Sequence, residues 1–547
     1  MMARINTLLQ SIRRSLNRSH WLTRLFRLPV SEGPSSRPGV VLIQVDGLSE
    51  PQLRQALKKG EMPFLRRLLK REQYRLHSQY SGLPAATPAA QAELFYGVKT
   101  AVPAFSFRDR ESGEIIRMYE PDAASRVESR LRQSGNAALL AGGSAYADNF
   151  TGGAAEAHFC PASLGWGPAL RTANPLALLV FLISNFYSFL RIGVLLGLEL
   201  LLALVDFMRG ISHGHDFIKE LKFIPARVAI SILLRELCVI GGKIDINRGL
   251  PIIHINFLGY DEQAHRRGPD SLFAHWTLKG IDDAIARLWR ATRHAPRRHY
   301  QVWVYSDHGQ HAALPYKCLQ AGGIETAVTE VFSRLQSVST RSRVTSQHSI
   351  QTQRVRLLGG HRFQRLFAVA GLAAEPEAEE TVQVAALGPI GLVYAPGKLD
   401  IDQRRQVARD LARRHEVPVT LIADDSQRIH AWTATAEFRL PGQAAELFGA
   451  DHPFLGELEQ DLISLCRHPD AGDIILLGWH QGATPITFAT EGGSHAGATP
   501  NETHCFSLLP RDAPLPARSR DYLRPNDLRE AVLQRLGQTQ HTHRRCR

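Results

Sequence analysis

Three short apolar runs stand out along the 547-residue chain: Val40 to Val45 (VVLIQV), Pro251 to Phe257 (PIIHINF) and Tyr300 to Tyr305 (YQVWVY). They are rich in β-branched residues and do not alternate cleanly with polar ones. Such runs suit central strands of a parallel sheet, which are buried on both faces. Helical spacing over Met62 to Lys70, Ala89 to Leu94 and Ile281 to Thr292 predicts helices around them. The pattern predicts an α/β fold with a doubly wound, mostly parallel central sheet. Further along, Ile390 to Tyr394 and Asp473 to Gly478 read as strands, and Trp432 to Leu440 alternates like one. Gln403 to Arg414 and Phe454 to Cys466 read as helices, so this part forms a small α/β subdomain. Residues 341–386 between the two parts begin polar and pass through AAEPEAEE, which predicts an irregular excursion.

One stretch breaks the pattern. Residues 175–208 are almost wholly apolar, with only Arg191, Glu199 and Asp206 charged. As one membrane span it would place Arg191 near the centre, which is unfavourable. Split at Arg191 it yields two helices of about 15 residues, each short for a span. Phe223 to Ile240 is amphipathic and is expected to pack beside it. The whole of 160–250 therefore reads as an apolar helical insertion, either a buried cap or a membrane-associated element. Residues 1–37 form a basic amphipathic segment and linker. In it Ile5, Leu8, Leu9, Ile12 and Leu16 oppose Arg4, Arg14 and Arg18. That pattern suits a membrane interface or a docked surface helix. Membrane association through 1–27 and 175–240 is the expectation. No cleavable signal peptide is recognisable, and a cytoplasmic-side location is expected.

Charge and cysteines narrow the classes. The net charge is +13. Residues 1–40 hold seven Arg and one Glu, and residues 511–547 hold nine Arg and four acids, so the ends supply eleven of the thirteen charges. A nearly neutral body argues against a nucleic-acid-binding fold. The tail 511–547 is expected to be loose. With 44% hydrophobic and 21% charged residues the chain is globular. The six cysteines form no CxxC pair, which excludes a zinc ribbon and a redox motif.

Candidate chemistry gathers where strands end. Asp46 follows the first run, Asp261 and His265 follow the second, and Asp307 with His308 follow the third. Open α/β sheets bind ligands at the carboxyl ends of their strands. Asp261 and His265 are four apart, so one helical turn turns both toward one ion. His495 sits in a glycine-rich loop, EGGSHAG. Three carboxylates and three histidines suit two divalent metal ions, with zinc the best fit.

These segments resemble the type I phosphodiesterase/nucleotide pyrophosphatase branch of the alkaline phosphatase superfamily. The matching pieces are VDG at 45–47, LPAATPAAQAELFYG at 83–97, GYDEQAHRRGPDS at 259–271, YSDHGQ at 305–310 and GGSHAGATPNETHCFSLLP at 492–510. They occur in the family's order, inside a catalytic domain spanning 38–510. The resemblance implies an alkaline phosphatase-like fold and a metal-dependent phosphate-ester hydrolase. It implies that Thr87 is the nucleophile, forming a covalent phospho- or nucleotidyl-threonine. One metal would be held by Asp46, Thr87, Asp307 and His308, the other by Asp261, His265 and His495. His504 is a rival for the last position, since Ala496 stands where the family's turn has glycine. Without a resemblance, Thr87 reads as a helix cap before AAQAEL. A sulfatase would need Cys or Ser at that position followed by an Arg, and Thr87-Pro88-Ala89 offers neither. A phosphomutase of the same superfamily and a non-catalytic membrane-associated scaffold are the alternatives. The substrate, mono- or diester, small or lipid-linked, and the oligomeric state stay open.

Overall fold

Seven strands form the main sheet: β1 (Pro38–Val45), β2 (Tyr74–Tyr80), β3 (Ser144–Tyr146), β4 (Glu156–His158), β5 (Ile252–Phe257), β6 (His299–Tyr305) and β7 (His504–Pro510). The structure is a computed structural model. It describes residues 18–163, 186–212, 229–335, 343–344 and 382–538, apart from Gly33, Asp425 and Gln427. Strand order is β2-β7-β6-β1-β5-β3-β4. Every neighbouring pair is parallel except the two made by β7. The three apolar runs are thus the three central strands, with Val40 beside Ile252 of β5 and Gln301 of β6.

The helices used below are α1 (Arg18–Leu25), α2 (Glu50–Lys59), α3 (Thr87–Tyr96), α4 (Phe186–Ser212), α5 (Arg235–Arg248), α6 (Gly259–Arg267), α7 (Leu272–Thr292) and α8 (Pro525–Arg535). They cover both faces of the sheet. Val40 and Leu42 of β1 pack into the core that holds Leu94 and Phe95 of α3 and Leu528 and Val532 of α8. Val41 and Ile43 pack into the core that holds Cys238 of α5 and Leu278 and Ile285 of α7. Successive side chains on a strand point to opposite faces. With a helical layer on each face, both sets must be apolar, and alternation disappears.

A second, mostly antiparallel sheet lies in the later part of the chain. It differs from expectation in two places. Trp432 to Leu440 is not one strand but the ends of two, Ile429–Trp432 and Glu437–Leu440. The Thr433 hydroxyl accepts from Ala436 N at 3.1 Å and closes the turn between them. The excursion expected over 341–386 ends in a strand, Gln383–Ala386, which pairs with Ile390–Tyr394. Most of the excursion lies outside the described residues.

The C-terminal segment is not loose as far as it is described. Arg524 is 2% exposed. It donates to Glu93 of α3 at 2.9 Å and to Asp461 at 3.0 Å, and it also pairs with Glu457. Arg529 donates to the carbonyl of Phe95 at 2.6 Å. These arginines read as solvated charge in the sequence because their partners, carboxylates for Arg524 and backbone carbonyls for Arg529, lie far away along the chain.

The insertion is shorter than 160–250. α5 belongs to the core, with Cys238, Val239 and Ile246 buried. α4 runs unbroken through Arg191, whose guanidinium pairs with Asp283 of α7 at 2.6 Å. A buried or paired cation needs no helix break, so the expected split does not occur. Nine apolar side chains of α4 are exposed: Phe186, Leu190, Val194, Leu198, Leu200, Leu201, Leu204, Val205 and Met208. At 3.6 residues per turn they fall within roughly 160° of arc. Ile192 is buried. Beyond it, a Cβ added at Gly193 or Gly197 would meet nothing within 4 Å. Among the described residues no helix is long and apolar enough to cross a membrane. Residues 1–17, 175–185 and 213–228 lie outside the described set. α1 docks on α5, with Leu22 buried and Asn247 donating to Thr23 at 3.4 Å, while Trp21 is exposed.

Removing Arg524 would leave Glu93 and Asp461 as buried carboxylates without their cation. Arg524→Ala is expected to lower unfolding stability by about 3–5 kcal/mol, measured by denaturant titration. A loss within experimental error would show that the cluster is a surface feature.

Candidate active site

β6, β1 and β5 are neighbours, and each ends in an acidic residue or in a turn that carries one. Asp46 is the first residue after β1. Asp261 lies in the first turn of α6, one short connection after β5. Asp307 and His308 follow β6. All four are at most 1% exposed. Donor atoms of Asp46, Asp307 and His308 lie within 4.8 Å of one another, as do those of Asp261, His308 and His495. His265 Nε2 is 3.5 Å from Asp261 Oδ1. Thr87, the first residue of α3, places its hydroxyl 3.3 Å from Asp46 Oδ1 and 3.2 Å from His308 Nε2. The seven residues singled out in the sequence therefore meet at one edge of the sheet.

Local backbone makes the approach possible. Gly47 has φ of 73°, and a Cβ there would sit 2.8 Å from Asp261 Oδ1. Only glycine lets the two strand ends come this close. Ala496, which stands in for a glycine, has φ of 98°. It holds the chain where Ala85 N donates to its carbonyl at 3.1 Å and where His495 Nδ1 reaches Ala85 O at 3.1 Å. A non-glycine residue there carries backbone strain.

The three histidines share one orientation rule. Nδ1 of His265 lies 2.8 Å from Glu491 Oε2, Nδ1 of His308 lies 3.0 Å from Gly309 O, and Nδ1 of His495 faces Ala85 O. Each Nδ1 has an acceptor, which favours the tautomer with a bare Nε2. Each Nε2 faces a carboxylate of the cluster. His308 and His495 stack at 3.8 Å. His504 behaves differently. Its Nε2 is 2.7 Å from Ser78 Oγ and 3.1 Å from Glu50 Oε2, so this nitrogen is taken up elsewhere.

The electrostatics call for cations. Neither carboxylate oxygen of Asp307 has a hydrogen-bond partner, although the residue is fully buried. Its nearest cationic group is His308 Nε2 at 3.5 Å. Burial and the adjacent Asp46 carboxylate push the Asp307 pKa up. Burial opposes the charged form of His308, but Asp307 and Asp46 outweigh it and raise its pKa to about 9. Burial likewise opposes the charge of His265, and Asp261 and Glu491 raise its pKa to about 10. Burial and the facing His308 hold His495 below the usual imidazole range. Three buried carboxylates facing imidazole Nε2 atoms, one of them with no hydrogen bond to either oxygen, form a donor set that suits a divalent metal. The residues present fit two such ions.

Several residues absent from the sequence reading support the cluster. Asn256 donates to Asp46 Oδ2 at 2.8 Å, and Gln310 donates to Asp261 Oδ1 at 2.5 Å. Glu491 orients His265. Behind α3, Gln91 sits one turn from Thr87 and donates to Gln44 and to Asp148, both at 3.1 Å. Asp148 faces His254 at 2.8 Å, and His254 faces the Tyr305 hydroxyl at 2.8 Å. Glu491 had one sequence signal, an acid beside the Gly492-Gly493 pair. The others come from positions that read as ordinary strand or helix polar residues. Thr87 is not the cap of α3. Ala86 holds the cap position with no side-chain bond, and Thr87 is the first helical residue.

No protein-family model matches the chain, and no curated protein matches it in sequence. Solved structures do. Phosphonoacetate hydrolase from Sinorhizobium meliloti 1021, in complex with phosphonoformate, covers 93% of this chain with 99% of its own, at 13% identity and a TM-score of 0.45. Murine ectonucleotide pyrophosphatase/phosphodiesterase 5, an inactive form in complex with AMP, covers 92% with 96% of its own, at 10% identity and a TM-score of 0.45.

Two outcomes test the electrostatic reading. In metal-free protein, Asp307→Asn is expected to raise stability by about 1 kcal/mol at neutral pH, because it removes a buried unpaired charge. Asp307 has a raised folded pKa, so its ionised form lowers stability above the unfolded value of 3.8. The advantage of the variant should therefore grow as pH rises from about 4 toward neutrality, followed by thermal melts in chelator. Glu491→Gln is expected to weaken metal affinity about 10- to 100-fold, read by competition with a zinc-sensitive dye.

Proposed function

We propose that this chain is a two-metal phosphate-ester hydrolase of the type I phosphodiesterase/nucleotide pyrophosphatase kind, with Thr87 as nucleophile and zinc as the preferred metal. One observation carries the reading. The Thr87 hydroxyl, at the start of α3, lies within 3.3 Å of Asp46 and His308, in a cluster whose Asp307 has no partner.

Asp46, Asp307, His308 and the Thr87 oxygen would hold one ion, and Asp261, His265 and His495 the other. Bound ions supply Lewis-acid stabilisation of the threonine alkoxide and of the leaving oxygen. The residues of the chain do the rest. The N-terminal end of α3 favours the phosphoryl anion through the helix dipole. Thr87 Oγ forms a bond to phosphorus as the bond from phosphorus to the leaving oxygen breaks. The hydroxyl proton is lost, and the leaving group gains one. Water then attacks the phosphothreonine, restoring the hydroxyl and releasing the phosphate. Asn256, Gln310 and Glu491 hold Asp46, Asp261 and His265 in place through both steps. Gln91 keeps the first turn of α3 in register with β1. The reading includes work at a membrane surface, supported by the exposed apolar stripe of α4.

Hydrolysis of nitrophenyl phosphate mono- and diesters with zinc present tests the chemistry. Thr87→Ala is expected to lower kcat by at least about 10³-fold while metal content and folding persist. His504→Ala is expected to keep most of the activity and His495→Ala to lose it. An active Thr87→Ala protein would sink the mechanism.

A further inference from the structure

Beside α4 lies an open groove of about 300 Å³, lined by Lys243, Ile246 and Asn247 of α5 and by Arg287, Arg290 and His294 on the α7 side. Arg287 is committed to Glu236 at 2.6 Å and to Asp283 at 3.0 Å. The side chains of Lys243, Arg290 and His294 make no ion pair or hydrogen bond among the described residues. Burial and the neighbouring Arg287 lower the Lys243 pKa to about 8. Three uncommitted basic groups thus converge on one concave surface that contains no acid of its own.

The groove is continuous with two apolar features. Asp283, Arg287, Arg290 and His294 are spaced four, three and four apart, which keeps them on one side of α7 and its C-terminal extension. Asp283 is the residue that anchors Arg191 of α4. The cationic groove therefore begins one turn from the helix that exposes nine apolar side chains. At its other end, Asn247 bonds Thr23 of α1, where Trp21 is 65% exposed. The apolar stripe, the basic groove and the exposed Trp are linked through Asp283 and Asn247, and together they offer the chemistry that an interfacial membrane surface requires.

We propose that the groove takes the phosphate of an anionic lipid headgroup while the α4 stripe enters the acyl region of the same leaflet. A free anion would leave the stripe unexplained. A second copy docked through the same face would set its own Lys243 and Arg290 against these, with no acid in the groove lining to pair them. An anionic bilayer satisfies both the charge and the apolar surface. The inference rests on the membrane part of the proposed function and is independent of the Thr87 chemistry.

Flotation of the full-length protein with vesicles tests it. Wild type should float with phosphatidylcholine vesicles containing phosphatidylglycerol, and much less with phosphatidylcholine alone. The Lys243→Ala/Arg290→Ala pair should weaken binding to anionic vesicles by at least about tenfold and reduce its salt dependence. Val194→Glu/Leu201→Glu should weaken binding to both vesicle types by at least about 50-fold. Both variants change exposed or groove positions, and both should hydrolyse a soluble nitrophenyl ester at the wild-type rate, which verifies that they fold. Inorganic phosphate, at ionic strength matched with chloride, should leave wild type on the vesicles. Absence of wild-type flotation, or flotation equal in all three proteins, would overturn the proposal. So would full release by phosphate, which assigns the groove to free anions. A dimer in sedimentation that Val194→Glu/Leu201→Glu dissolves would assign the stripe to a second copy.

Discussion

Three carboxylates, Asp46, Asp261 and Asp307, are buried at the ends of adjacent strands, and the protein itself supplies too little positive charge to balance them. That constraint organises the molecule. Burial of an ion without compensation is strongly unfavourable. Here Asp307 has bare oxygens, and the imidazoles of His308 and His265 are driven toward protonation by the same carboxylates. Asn256 donates to Asp46 and Gln310 to Asp261, and neither reaches Asp307. A fold selected for stability alone would not retain such an arrangement. A site made for cations would, because each term that destabilises the metal-free state becomes an affinity for metal.

The remaining architecture keeps that cluster rigid. Parallel pairing of β6, β1 and β5 sets the spacing of Asp307, Asp46 and Asp261 through backbone hydrogen bonds and not through flexible loops. α3 is fixed from two sides. Gln91 reaches into the Gln44, Asp148, His254 and Tyr305 network beneath the sheet edge. Glu93, on the same helix, is clamped by Arg524 from the C-terminal segment. Both networks are buried and, apart from Gln44 Nε2, their side chains are hydrogen-bonded, which is the condition under which buried polar groups rigidify a structure. Thr87 thus inherits its position in part from Arg524, which lies 431 places along the chain from the Glu93 it clamps.

The periphery follows different rules. α4 touches the body near Arg191 and Ile192 and then presents apolar side chains outward. It contributes little to the core that holds the site.

The sequence by itself determined the fold class and the strand-end positions of Asp46, Asp261, Asp307 and His308, because both depend on local signals. A β-branched run without alternation is buried on both faces wherever it sits. An acid immediately after such a run lies at the ligand-binding edge of an open sheet. The pattern around Asp46, Asp261, Asp307 and His308 was legible for that reason, and so was the apolar character of 175–208. Tertiary structure decided what depends on partners distant along the chain. His495 and His504 are nine residues apart with similar surroundings in sequence, and only the fold turns one into the cluster and ties the other to Ser78 and Glu50. Arg524 and Arg529 read as part of a basic tail until Glu93 and the carbonyls of α3 are brought against them. Arg191 reads as an unfavourable charge within an apolar stretch until Asp283 pairs with it. In each case the meaning of a charge lies in its burial and its counterion, and neither is a property of the local sequence.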